Sequence, residues 1–397
     1  MRIMKENKIN FLTQLPLEMN LLLDLLEANF DVLKINSYSK ADINWKKFLQ
    51  LAKHHRVIPL LYSKLQKNGS TWIPESVMSF LQNKYRQNVF SMLQLTQEMD
   101  SIGRMLNKNN IRALFLKGPI LGKDLYGDIG LRSSKDLDIL IPSHEFQNVQ
   151  ELLMKHGYIE RKEKTCTILK EERLRTHHAE FFHPNSRFSI EIHWRLNDLP
   201  DKEPSFTRLW ERRRVSQLTT EPLYYLGEED LFCYLISHGA RHGWFRLRWL
   251  VDIDKLLRKG IDWEKYRNVM LEYSNEHVIG QSLILAQGLL KSPLNKQSSY
   301  LLTRKAEELA HWAMIYIKSI EYDQPFPKDL IPYNKYNLVL QKNIIQKTKY
   351  LLILSYPTYK DYQIFQLPKI LHFLYFPLRP VLYTGRKLGL LKINENI

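Results

Sequence analysis

Between residues 111 and 141 the hydrophobic pattern stops recurring at helical spacing and becomes two short apolar runs. Ile111–Leu116 (IRALFL) is short and unbroken, as a buried strand would be. Asp136–Ile141 (DLDILI) is the second, stopped by Pro142. On the N-terminal side the period is helical: Leu21, Leu22, Leu25 and Leu26 recur at helical spacing, and Pro74 sits where a helix can start. Met92, Leu95, Met99, Ile102 and Leu106 form a stripe that reads as core packing. Downstream, Phe146–His156 reads as a helix with Gly157 as its C-cap. Residues 158–196 read as two or three strands, the clearest being Phe188–Leu196 (FSIEIHWRL). From Glu228 onward the chain is helical again, interrupted near Pro325–Pro332 and at Pro357. The pattern predicts an α+β fold, with a small mixed β-sheet core over residues 108–215. Helical regions flank it at the N-terminus (1–107) and the C-terminus (216–397).

Charge and cysteine content narrow the functional classes. Lys+Arg number 58 against 42 Asp+Glu, a formal charge of +16 in 397 residues. Such an excess favours polyanionic company: nucleotides, nucleic acid or an anionic membrane face. It is spread along the chain instead of being gathered in one arm, so nucleic acid is not the favoured partner. Cys166 and Cys233 are the only cysteines. Two thiols exclude a disulfide framework and a cysteine-rich zinc site and fit a reducing compartment. The first residues lack the apolar stretch of a secretory signal, and no run approaches the about 20 apolar residues of a membrane span. A cytoplasmic location is the expectation.

The most informative feature is Asp136-x-Asp138. On a strand, positions i and i+2 share a face, so Leu137, Ile139 and Ile141 point into a core while the two carboxylates stand together on the other side. Carboxylates that close repel unless a cation intervenes, and hard divalent ions take oxygen ligands, which suits Mg²⁺ carrying a nucleoside triphosphate. Two solvated aspartates at a strand edge are the alternative. The chain holds its own control in Asp252-Ile253-Asp254. There the apolar positions 249, 250, 253, 256 and 257 are helical, and the two carboxylates diverge by about 200°. In Phe188–Leu196, Ile190, Ile192 and Trp194 alternate with Glu191, His193 and Arg195. If that strand neighbours Asp136–Ile141, Glu191 completes a three-carboxylate site for one or two metals. A metal pair about 3.5–4 Å apart would activate the attacking oxygen and steady the α-phosphate and the leaving pyrophosphate. A surface glutamate is the other reading. His193 either orients a ligand or is a packed histidine.

Upstream, Leu116-Lys117-Gly118-Pro119 is a strand-to-helix turn in which Gly118 lets the backbone approach an anion and the helix start offers N–H groups to phosphate. Lys117 and Arg132 are placed to neutralise β- and γ-phosphate oxygens. No P-loop segment is present.

Lys117-Gly118, Leu125-Tyr126, Arg132, Asp136-x-Asp138 and Glu191-x-His193-Trp194 together resemble an uncharacterised nucleotidyltransferase family of the DNA polymerase β-like superfamily. Similarity extends to Trp45–Pro59 (WKKFLQLAKHHRVIP) and to His238–Asp252. At the C-terminal end it takes in Pro357-Thr358, Asp361, Leu367-Pro368 and Leu378-Arg379-Pro380, so it covers nearly the whole chain. The resemblance implies a nucleotidyltransferase sheet with a Mg²⁺ site, Mn²⁺ serving in its place. Asp136 and Asp138 match the metal-binding acidic pair, and Glu191 matches the third carboxylate. Gly118 matches the glycine of the Gly-Ser turn. Here Pro119 replaces the serine and residues 120–135 make a longer gap, so Lys117, Arg132 and Ser133 stand as substitutes in gripping the triphosphate. The activity implied is transfer of NMP from an NTP, ATP among them, to a hydroxyl, amine, phosphate or protein side chain, with Glu191 or Asp138 helping to deprotonate the acceptor. The family is often found with biosynthetic clusters for peptides or surface polysaccharides, which implies a partner protein of that kind. Two alternatives stand beside this one: a non-catalytic nucleotide- or partner-binding module, and an RNA-directed transferase suggested by the charge.

Three further groups have two readings each. His238, His242, Trp244, Arg246, Arg248 and Asp252 either line a base or acceptor pocket or anchor the C-terminal helices, with Arg248 pairing Asp252 at i, i+4. His177, His178 and His183 near Cys166 match no standard zinc finger and read as strand and loop positions. Ile370–Leu391 mixes aromatic and basic residues, but Pro377 and Pro380 are expected to break any long amphipathic helix, which favours docking onto the body of the protein over an anionic membrane.

Overall fold

The computed structural model describes residues 15–391 apart from 70, 162–175, 187, 198–201, 274, 320–329 and 358. Cys166 therefore lies outside the described residues. The N-terminal region is helical as expected: α1 (Leu17–Leu26), α2 (Val32–Ser37), α3 (Trp45–His54), α4 (Ile58–Asn68) and the long α5 (Glu75–Lys108). Helix starts follow from local chemistry. Asn44 caps α3 by accepting the Lys47 N–H at 3.0 Å, and Pro74 precedes α5, whose first turn carries Glu75 and whose last carries Lys108.

The middle of the chain supplies β1 (Leu114–Phe115), α6 (Pro119–Tyr126), β2 (Asp136–Leu140), α7 (Phe146–Lys155), β3 (Ile159–Glu160), β4 (His178–Phe182), β5 (Ser189–His193), β6 (Arg214–Ser216) and β7 (Leu223–Tyr225). They form one mixed sheet in the order β3-β4-β5-β2-β1-β7-β6. β2 runs parallel to β5 and β1 parallel to β7, and the other pairings are antiparallel. β7 belongs to the sheet, so the sheet reaches past residue 215.

One face of the sheet packs on α5 and α7. Leu137, Ile139, Ile190 and Ile192 are fully buried there against Met92, Leu95, Met99 and Ile102, so the methionine-bearing stripe is core. At about 25 cal/mol per Å² of apolar surface removed from water, each such side chain contributes roughly 1.5–3 kcal/mol. A second buried cluster joins Leu51 and Leu61 of the N-terminal helices to Leu231, Leu235 and Leu250 of helices Glu228–Arg241 and Leu247–Lys259. The flanking helical regions thus share a core, and they meet over the other face of the sheet.

The expected interruptions agree with the structure: one helix ends at Lys318 and the next begins at Leu330, with residues 320–329 outside the described residues, and Pro357 lies between helices Ile344–Leu354 and Tyr359–Ile364. One proline expectation needs correction. Pro377 and Pro380 do not break the C-terminal helix, which runs from Tyr375 to Lys387. Arg379 and Arg386, one on each side of Pro380 along that helix, both donate to the buried Asp361 carboxylate, at 2.8 and 2.7 Å. Two charge-assisted bonds bracketing the proline offset the ladder bond it removes.

Candidate active site

Strand alternation and register build the site. In the β2/β5 pair Asp138 lies opposite Glu191, Asp136 opposite Ser189 and Leu140 opposite His193. Because Leu137, Ile139, Ile190 and Ile192 are turned into the core, Asp136, Asp138, Glu191 and His193 share the other face. They line a cavity of about 340 Å³, together with Lys117 and Arg248 among others. In β4, antiparallel to β5, His178 lies opposite His193.

The charges interlock. Lys117 Nζ is 2.9 Å from Asp138 Oδ1, and its ammonium lies 5.7 Å from the centre of the Tyr234 ring. His193 Nε2 is 3.3 Å from both Asp138 Oδ1 and Glu191 Oε2. Burial pushes the Asp138 carboxyl up, but Lys117 and His193 outweigh it and hold the group well below the usual carboxylate range. Glu191 is pushed up by burial and by the Asp138 charge and is still lowered overall, by His193. Asp136 goes the other way, raised by burial and by Asp138 against the relief from Lys117. Lys117 and His193 are both raised: burial opposes their charge and the carboxylates overcome it.

A divalent cation fits this donor set. Asp138 Oδ2 is buried with no hydrogen-bond partner among the described residues, an acceptor-only atom whose carboxylate repels its neighbours Asp136 and Glu191. Asp138, Glu191 and His193 each offer a donor atom within 4.8 Å of the others. Asp136 lines the same cavity, where Ser134 Oγ donates to its Oδ1 at 3.3 Å.

Gly118 occupies a conformation reserved for glycine, with φ 88° and ψ −152°, at the start of α6. A Cβ there would lie 3.3 Å from Leu137 Cδ2. Gly118→Ala is expected to cost about 1–3 kcal/mol of stability from backbone strain. Urea unfolding checks it, and an unchanged midpoint would contradict the assignment.

The other expected phosphate ligands divide. Arg132 lines the cavity but is only 1% exposed, and its Nε and Nη2 are bound to Asp252 at 2.9 and 3.0 Å. Tyr126 O–H donates to the same carboxylate at 2.7 Å. Arg132 is therefore the link between the α6–β2 segment and helix Leu247–Lys259. Ser133 lies in a neighbouring cavity of about 350 Å³ that shares Arg56 and Arg246 with the first. Its carbonyl accepts from Arg248 Nη1, so the expected Arg248–Asp252 pair gives way to Arg248–Ser133, and Asp252 belongs to Arg132. Asp254 bonds Arg258 and Ser292 instead, so the helical Asp252/Asp254 pair diverges as its period requires. Trp244 is fully buried, whereas His238, His242, Arg246, Arg248 and Trp249 border the cavity, so the 238–252 segment both packs into the helical core and lines the cavity.

Residues that carried no site role in the sequence complete the walls. Arg56 lies in the α3–α4 turn at φ +56°, a left-handed position unusual for a side chain of its size. The turn is held by His54 Nε2 donating to the Phe245 carbonyl at 3.0 Å, by the Leu247 N–H donating to His55 Nδ1 at 3.2 Å and by the Arg248 N–H donating to the His55 carbonyl at 3.3 Å. Burial and the nearby Arg132 and Arg56 charges push Arg248 down to about 9. That is a cation crowded by cations, the condition an anionic ligand relieves. His177 and His178 also border the cavity, while His183 packs against Tyr158 elsewhere. A His-His-Arg run at a helix end was the available signal for Arg56. For the histidines only strand register would have sufficed.

The protein is thus an α+β protein with an acidic cluster on one face of a mixed sheet, walled by guanidinium and imidazole groups. A family model described as uncharacterised nucleotidyltransferase matches residues 41–291, and the chain belongs to that family. Comparison with curated proteins finds no match. Among the described residues no helix is long and apolar enough to cross a membrane.

Proposed function

We propose that the chain is a divalent-metal-dependent nucleotidyltransferase. It would transfer NMP from an NTP to a small-molecule, peptide or protein acceptor within a biosynthetic pathway. The observation that carries this is the β2/β5 register, which sets Glu191 beside Asp138 on the face that also bears Asp136. Asp136, Asp138 and Glu191 would hold Mg²⁺ or Mn²⁺. Bound there, the ion would offset the charge that builds on the α-phosphoryl oxygens and the departing pyrophosphate.

The chain's own groups do the rest. Pro119 removes one N–H from the start of α6, so the triphosphate is gripped chiefly by side chains: Lys117, Arg56, Arg246 and Arg248. Of the two carboxylates expected to take the acceptor proton, Glu191 has 25% of its side chain exposed and Asp138 2%. Glu191 is the one an acceptor can reach. Trp249, stacked on His242 at 5.3 Å between ring centres, offers an aromatic wall for a base.

The test pairs binding with turnover. The full chain is incubated with Mg²⁺ or Mn²⁺ and each common NTP, and nucleotide-induced thermal stabilisation and pyrophosphate release are recorded. At least one NTP is expected to stabilise the protein, more strongly with metal than without. Arg56→Met and Arg248→Met are each expected to weaken that NTP about tenfold or more, the loss of a charge-assisted hydrogen bond. If no metal–NTP pair binds, the proposal fails.

A further inference from the structure

Three imidazoles meet beside the carboxylates without any sequence spacing to announce them. His178 is brought opposite His193 by the antiparallel β4/β5 register. His177 sits in the bend just before β4, so strand alternation does not turn its ring to the far side. The ring centres lie 4.4 Å apart for His177 and His178, 5.1 Å for His177 and His193, and 5.0 Å for His178 and His193. Each ring offers a nitrogen, all within 4.8 Å of one another.

Distances and donor chemistry point the same way. Two donors on one tetrahedral zinc at about 2.0–2.1 Å stand about 3.3 Å apart. His178 Nδ1 and His177 Nε2 are 3.2 Å apart, as are, nearly, His193 Nε2 and Glu191 Oε2 at 3.3 Å. Glu191 Oε2 lies 3.8 Å from the other ring nitrogen of His178, Nε2, which points away from an ion held on Nδ1, so Glu191 stands at the edge of the set. A second observation is independent of these spacings: both His193 ring nitrogens are buried, and neither makes a well-directed hydrogen bond among the described residues. Imidazole suits zinc and its neighbours in the first transition row, whereas Mg²⁺ selects oxygen and keeps its waters.

We infer that His177, His178 and His193, with Glu191 at the edge, form a binding position for a borderline divalent transition ion, with Zn²⁺ and Co²⁺ as the test ions. It lies on the Glu191 side of the acidic cluster and differs in selectivity from an all-carboxylate position at Asp136 and Asp138. The inference shares Glu191 with the proposed transfer site and needs no transfer chemistry. Ion binding without nucleotide turnover would sink the transferase proposal and leave this one standing.

The experiment uses the full chain, freed of metal by a chelator and without nucleotide. Titration with Co²⁺ is expected to saturate at one equivalent with the intense visible absorption of a four-coordinate site. Zn²⁺ should abolish the band at equimolar concentration, and Mg²⁺ should leave it even in about a thousandfold excess. His177→Ala and His178→Ala should each weaken Co²⁺ by about a hundredfold or more, while Asp136→Asn should retain the band. No band in the wild-type chain, or displacement by Mg²⁺ at comparable concentration, overturns the inference whether or not the variants fold. A band that survives both histidine substitutions and vanishes in Asp136→Asn overturns it too, because the ion then sits on the carboxylates.

Discussion

Asp138→Asn is expected to leave the chain folded and to lower NTP-dependent pyrophosphate release by about a hundred- to thousandfold, the loss typical of removing one preorganised electrostatic contact to a reacting group. The carboxylate is central to the cluster: Lys117 lies 2.9 Å from one oxygen and His193 3.3 Å from the same one, while the other oxygen is buried without a hydrogen-bond partner among the described residues. A carboxamide has nearly the same shape and no charge, so it offers a divalent ion far less. Folding should survive because Leu137 and Ile139, which seat β2 on α5, are untouched. Lys117 would lose its nearest counter-ion and keep the more distant attraction of Asp136 and Glu191. Circular dichroism and a melting curve establish the fold, and a panel of NTPs with Mg²⁺ or Mn²⁺ measures turnover. Wild-type turnover in a folded Asp138→Asn protein would remove the catalytic reading of the cluster.

The largest stability effect is expected at Asp252. Its carboxylate is fully buried and accepts from Arg132 Nε and Nη2 and from Tyr126 O–H. Asp252→Ala strands the Arg132 guanidinium in a site with 1% side-chain exposure, and breaking a buried pair from one side costs about 3–5 kcal/mol. Arg132 is already crowded by Arg248, and the carboxylate attraction left to it would be the more distant one of Asp136. The double variant Arg132→Met with Asp252→Leu removes both charges and should recover most of the loss, because apolar replacement of an ion pair is close to neutral. Urea unfolding of the three proteins decides the matter. An Asp252→Ala midpoint equal to wild type would mean that Arg132 is satisfied elsewhere, as a phosphate-gripping residue would be.

Much of the centre of this protein is legible from the sequence because strand alternation is a local property. The sorting of Leu137 and Ile139 from Asp136 and Asp138, and of Ile190 and Ile192 from Glu191 and His193, needs nothing beyond a period of two. The contrast with Asp252 and Asp254 works for the same reason, since the helical period sends one to Arg132 and the other to Arg258. What escaped depends on pairing between distant segments. No spacing shows that β4 places His178 opposite His193, or that the α3–α4 turn delivers Arg56 to the acids. Arg248 illustrates the limit of helical rules: the i, i+4 partner exists, but Arg132 arrives from another element with better geometry and takes it. At Pro380 a sound local rule is outweighed by two guanidinium bonds to Asp361.

The docking of His54 and His55 against Phe245–Arg248 also bears on how the cleft can be reused. Its acids and Lys117 belong to the sheet region, while its arginines, Arg56, Arg246 and Arg248, arrive on segments encoded far upstream and downstream of it. A minimal fragment excised around the strands would inherit three mutually repelling carboxylates stripped of most of the positive groups that balance them. Grafting this chemistry onto another scaffold therefore means transplanting both flanks along with the sheet, as one inseparable unit of inheritance.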